Sequence, residues 1–271
     1  MDSGDRDGFG GTGNSDEVGD LHVESMHNFR DVAGPGYMTP DGAMARGVLF
    51  RANVVAPSDA DAEKLRALGL RRIVDLRRPE EVEKAPDHEV AGADYVHVDV
   101  LGTSDSAATV VGFDESATPA DARRELRRLN RSFVVEPEFR ARLRGAFEAI
   151  AESPGPVVFH CTVGKDRTGF TAAVLQLLAG MSHEDILADY LLTNERARDW
   201  AADLEAHFRE RVPERADTLV ELLQARPEYI TDALDAIDAE YGSARAYLVD
   251  GLGMAPEAVD TLRARLVPGA G

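Results

Sequence analysis

Short apolar runs, separated by polar and turn-forming stretches, set the rhythm of the first two-thirds of the chain. "GVLF" (Gly47–Phe50), "IVDL" (Ile73–Leu76), "YVHVDV" (Tyr95–Val100) and "VVFH" (157–160) are each too short for a helix and suit buried strands. Helical patterns lie between and after them. In "SDADAEKLRALGL", Ser58 stands as N-cap, acidic residues fill the first turn and Gly69 ends the helix. "PEFRARLRGAFEAIAESPGP" is a helix that stops at Ser-Pro-Gly-Pro. "RTGFTAAVLQLLAG" is apolar on nearly every side, which predicts a buried helix closed by Gly180. "GYMTPDGAM" reads as a hairpin with Asp41-Gly42 at its turn. Periodicity disappears from Gly102 to about Asp121, a long loop or insertion. Beyond Ser182 almost every segment is helical. Strands alternating with helices, followed by a helical last third, predict an α/β fold: a central, mainly parallel sheet flanked by helices.

Composition narrows this picture. With 271 residues, 44% hydrophobic and 29% charged, the chain can bury a sizeable core. The Gly-, Asp- and Ser-rich residues 1–20 are expected to form a disordered tail, leaving 21–271 as one domain. No stretch of about 18 apolar residues exists, so no integral membrane association is expected. The N-terminus lacks the pattern of a signal peptide, which predicts a cytoplasmic protein or one exported without a recognisable signal. A formal net charge of −19 repels nucleic acid and anionic membranes as main partners. An anionic substrate would need a local positive site working against that field.

The single cysteine excludes an internal disulfide and a multi-cysteine metal site. Cys161 sits where the apolar run "VVFH" stops and "TVGKDRTG" begins. A structural thiol would sit inside the run. A strand–loop–helix unit of this kind turns free backbone N–H groups into the loop, and the helix adds its positive end. A phosphoryl dianion fits such a concavity. Arg167 supplies a planar fork for two phosphate oxygens. The same field favours a thiolate over a thiol. One loop would then bind the phosphoryl group and present a nucleophile to it.

His160-Cys161, five residues, then Arg167-Thr168 matches the H-C-x5-R-[ST] signature of protein tyrosine phosphatases. "HCTVGKDRTG" resembles the bacterial branch that includes the mycobacterial PtpB-type and Listeria LipA-type enzymes. "NFRDVAG", "GVLFRAN", "GLRRIVDLRRPEEV" and "ILADYLLTN" resemble that branch's blocks in the same order, from about residue 24 to 267. The resemblance implies a cysteine-phosphatase fold and no metal or organic cofactor. It implies Cys161 as nucleophile and Arg167 as phosphate ligand and transition-state stabiliser. The backbone of Thr162, Val163, Gly164, Lys165, Asp166 and Arg167 would form the cradle. His160 would order the loop and help keep the thiol ionised, and Thr168 would donate its hydroxyl to Cys161. Helices within about 182–226 would cover the site as a lid, or else only pack against the sheet.

The Trp-Pro-Asp loop that carries the proton donor in many relatives is absent, since the only tryptophan is Trp200 in "RDWAAD". Two aspartates can serve. Asp166 in the loop is the favoured acid. Asp75, at the carboxyl end of "IVDL", is the second, or else pairs structurally with a neighbouring arginine. Lys165 would serve a second phosphoryl group or lie solvated at the rim. Phosphotyrosine in proteins is the first substrate expected, with phosphoinositides or phosphoserine and phosphothreonine as further ones. The rival from another class is a pseudophosphatase module that only binds phosphate, against which both Cys161 and Arg167 are intact. Asn28, Arg30 and Asp31 are expected to lock the hairpin against the core. His22, His27, His88, His97, His183 and His207 lack metal-like spacing, and Trp200 is expected in the core.

Overall fold

The computed structural model describes residues 23–102 and 116–269. The tail 1–20, His22 and most of the aperiodic stretch lie outside the described residues. A five-stranded sheet runs in the order β1-β4-β7-β5-β6. It comprises β1 (Arg30–Asp31), β4 (Leu49–Ala52), β5 (Arg72–Asp75), β6 (Asp94–His97) and β7 (Val157–His160). β4, β7, β5 and β6 are parallel and β1 is antiparallel to β4. The expected strands are present: β4 lies two residues later and β5 one residue earlier than expected, and β6 starts one residue earlier and ends three earlier.

Alternate residues of the central strands feed two cores. Leu49, Val74, Val157 and Phe159 enter the large one. Phe50, Ile73 and Val158 enter a smaller one beneath α1 (Asp59–Ala67), with Met26 and Phe29. Ser58 caps α1 by accepting from the Asp61 N–H, as its position predicts. α2 (Pro79–Lys84) follows β5. Beyond the undescribed stretch come α3 (Pro119–Val135) and α4 (Pro137–Ala151). After β7 the chain is helical: α5 (Asp166–Ala179), α6 (His183–Arg196), α7 (Arg198–Arg211), α8 (Ala216–Leu223), α9 (Pro227–Tyr241) and α10 (Pro256–Leu266). α5 is buried nearly all round and Gly180 ends it at φ +97°.

Two expectations change. The hairpin of β2 (Met38–Thr39) and β3 (Gly42–Ala43) turns at Pro40-Asp41, because Gly42 already pairs with Thr39. Trp200 is half-buried rather than in the core, stacked on His27 with centroids 4.4 Å apart. Burial there lowers the His27 pKa to about 4.

Candidate active site

β7 is the middle strand, so its carboxyl end opens at the centre of the sheet rim. Ala52, His160 and Asp75 align there in one rung, and Cys161 is the next residue. The loop then runs from Thr162 to Lys165 before α5 starts at Asp166. Its shape depends on Gly164, at φ +75°. A Cβ there would also lie 2.5 Å from the Ala52 carbonyl oxygen.

The loop's carbonyls are held on its outer side. Asn28 Nδ2 donates to Val163 O at 3.2 Å and to Gly164 O at 2.9 Å. Arg51 Nη2 donates to Gly164 O at 2.9 Å. In a trans peptide the next N–H points the opposite way, so the amides of Gly164 and Lys165 turn inward. Behind them lies a buried ion cluster. Asp189 of α6 faces Arg30 Nε at 3.2 Å and Arg51 Nη1 at 3.1 Å, and accepts from Tyr37 Oη at 3.2 Å. Asn28 and Arg30 therefore brace the loop rather than the hairpin. Asp31 does lock the adjoining turn, accepting from the Ala33 and Gly47 N–H groups. Gly169 lets Tyr190 close on α5, since a Cβ there would come within 2.8 Å of that ring.

The charged residues separate into distinct roles. Arg167 is 9% exposed and grips Glu81 of α2 end-on, with Nη1 to Oε2 at 2.7 Å and Nη2 to Oε1 at 2.8 Å. A further Nη1–H meets Leu76 O at 3.3 Å. Thr162 Oγ1 also donates to Glu81. Against the desolvation of burial, these contacts hold the Glu81 carboxyl at about 2. Asp75 is fully buried. Arg77 forks onto it at 2.8 and 2.7 Å, and Tyr95 Oη donates to it at 2.7 Å. Despite desolvation, Arg77 and His160 keep its pKa at about 2. Asp75 thus takes the structural place beside an arginine and has no proton to give near neutrality.

Lys165 is 1% exposed and so does not lie at the rim. Its ammonium donates to the carbonyls of Leu222 and Gln224, at the end of α8, and lies 5.5 Å over the Tyr229 ring. Its charge is taken up inside the protein by these carbonyls. Asp166 is partly open, with Oδ1 3.3 Å from Asn130 Nδ2 and Oδ2 3.4 Å from Lys165 Nζ. Cys161 is 3% exposed. The Thr168 hydroxyl is buried and makes no hydrogen bond among the described residues, so the bond to Cys161 is not formed here. His160 is buried with Nδ1 3.3 Å from Cys161 O and Nε2 2.8 Å from Asp87.

Sequence reasoning missed Glu81, Arg51, Asp189 and Asp87 and misplaced Asn28. A usable signal existed for Arg51, a cation directly after the apolar "VLF". A charge in a buried strand needs a partner.

The tyrosine phosphatase family model matches residues 21–268. A Cupriavidus necator protein, provisionally named a tyrosine-protein phosphatase, is 34% identical over 242 residues, covering 86% of this chain and 84% of that one. The triple specificity protein phosphatase PtpB of Mycobacterium tuberculosis is 30% identical over 275 residues, covering 89% and 96%. A tyrosine-protein phosphatase of Nostoc commune is 28% identical, covering 88% and 86%. With the family's pattern matched along nearly its whole length, and its cysteine and arginine set on one loop at the sheet rim, the chain belongs to the tyrosine phosphatase family.

Proposed function

We propose that residues 21–271 act as one catalytic domain of the PtpB/LipA-like branch, hydrolysing phosphotyrosine in proteins through a phosphocysteine intermediate. The observation that carries this reading is the loop itself, with its carbonyls bound outward by Asn28 and Arg51 and its amides free to face an anion. Arg167 adds to it. Glu81 and Leu76 O take the end-on hydrogens and one Nη1–H, which leaves the Nε–H and the outer Nη2–H side by side for phosphoryl oxygens.

In the first step the Cys161 sulfur forms a bond to phosphorus as the ester P–O bond breaks. Asp166 gives its proton to the departing oxygen. In the second, water attacks phosphorus, Asp166 takes its proton, and the S–P bond breaks to release phosphate and the thiolate. Arg167 and the loop amides stabilise the charge on the equatorial oxygens in both steps. Asp166 takes the acid role because it is partly open at the loop, whereas Asp75 is sealed and ionised.

Phosphate release from a phosphotyrosine peptide, a phosphothreonine peptide and a monophosphorylated phosphoinositide tests the reading. The M. tuberculosis relative is named a triple specificity phosphatase, which motivates testing more than one substrate class. Turnover of the tyrosine peptide by wild type and not by Cys161→Ser is expected. Full activity in Cys161→Ser would sink the mechanism, and release from the lipid alone would move the substrate class.

A further inference from the structure

Asp87 lies between α2 and β6, outside the signature loop, and is held from three sides. Its Oδ1 accepts from Val55 N–H at 3.0 Å and from Arg77 Nη2 at 3.0 Å. Its Oδ2 stands 2.8 Å from His160 Nε2, an ion pair with side chains 5% and 0% exposed. Asp75 Oδ1 is 3.8 Å from the same nitrogen. Asp75, Asp87 and His160 could together resemble a metal site. Arg77, however, bonds both carboxylates and fills the place a cation would take.

Two contacts of His160 bear on its protons. Nδ1 faces the Cys161 carbonyl, which can only accept, so Nδ1 carries a proton. Nε2 lies 2.8 Å from Asp87 Oδ2 and 3.8 Å from Asp75 Oδ1, close contacts that favour a positive ring although the first is not an aligned hydrogen bond. With His160 protonated, Asp75 and Asp87 would balance Arg77 and His160, two charges of each sign. The other groups facing this set are Tyr95, which donates to Asp75, and Cys161, which itself faces the cations Arg167 and Arg51 and the Tyr190 hydroxyl. Glu81 pairs with Arg167, which also reaches the Leu76 carbonyl.

We propose that Asp87 is a positioning residue that keeps His160 doubly protonated and, through that buried cation, favours the Cys161 thiolate. The proposal rests on Cys161 being the nucleophile, and Asp87 itself touches no substrate. Removing its charge leaves Asp75 as the sole anion for two cations, weakens the imidazolium and withdraws support from the thiolate.

The test is the ultraviolet thiolate absorbance as a function of pH, unambiguous because Cys161 is the only thiol. Asp87→Asn should raise the titration midpoint by about one pH unit. kcat/KM should fall about tenfold below the new midpoint and recover above it, which a merely structural lesion would not do. In the double variant with His160→Asn, Asp87→Asn should add nothing further. An unmoved midpoint, or an additive shift in the double variant, would overturn the proposal. A moved midpoint without turnover on any phosphoester would instead defeat the functional reading and leave this one standing. Should Asp87→Asn not fold, nitrogen NMR of the wild type decides. Two protonated ring nitrogens on His160 are expected, and a bare Nε2 would contradict the assignment.

Discussion

Two aspartates near the same sheet rim meet different surroundings. Asp75 is sealed under Arg77 and Tyr95 and held ionised, with a pKa of about 2. Asp166 opens the helix after the loop, with part of its carboxyl exposed. Both were visible in the sequence as acids near Cys161, but only packing tells them apart. The sequence has no sign that the Asp75 partner is Arg77 and not Arg71, Arg72 or Arg78. Asp166→Asn is expected to lower kcat by about a hundredfold or more on esters with poor leaving groups, with little change in KM. The measurement is kcat against leaving-group pKa for a series of aryl phosphates. A slope identical to wild type would take the acid role from Asp166. Lys165 is a further lesson at this scale. Its position in the loop suggested a phosphate contact, yet its four-carbon stem carries the charge inward to the carbonyls of Leu222 and Gln224.

At the scale of elements, the blocks that surround the signature in sequence become its brace in space. Asn28 precedes β1, Arg51 is on β4 and Asp189 is on α6, and all three meet behind Gly164. Their separation in the chain, 136 residues from Asn28 to Gly164 and 138 from Arg51 to Asp189, is why sequence could not pair them. Strands and helix ends, by contrast, follow from local rules. The apolar runs set β4, β5 and β7, and Ser58 and Gly180 mark their helix ends. Where the rule is only local it fails, as at the Pro40-Asp41 turn. Asn28→Ala would leave two buried carbonyls with fewer donors, a destabilisation of about 1–3 kcal/mol. With the loop less firmly held, affinity for inorganic phosphate is expected to weaken about tenfold. Titration of phosphate as a competitive inhibitor measures this, and unchanged affinity would show that the loop holds its shape without Asn28. The helices expected to cover the site are bound to it unequally. α6 and α8 contribute Asp189 and the Leu222 carbonyl, while α7 has no fully buried residue.

Across the whole molecule, a net charge of −19 surrounds a site meant for a dianion. The answer to that conflict is local. Arg167 and the start of α5 converge on one loop at the centre of the rim, where the central strand ends and low dielectric strengthens their field. Among the described residues, no helix is long and apolar enough to cross a membrane. The α/β plan could be anticipated because alternating strands and helices leave few arrangements. The network of Arg77, Asp75, Asp87 and His160 could not, because it depends on how β5, β7 and the segment after α2 pack together. The central claim is covalent: phosphate passes through the sulfur of Cys161. Its most direct test is to mix the enzyme with a phosphotyrosine peptide, quench in acid within the first turnovers and map phosphorylation by mass spectrometry. The account predicts one phosphoryl group on the peptide containing Cys161, absent in Cys161→Ser. Sustained phosphate release with that peptide unmodified at every quench time would contradict it.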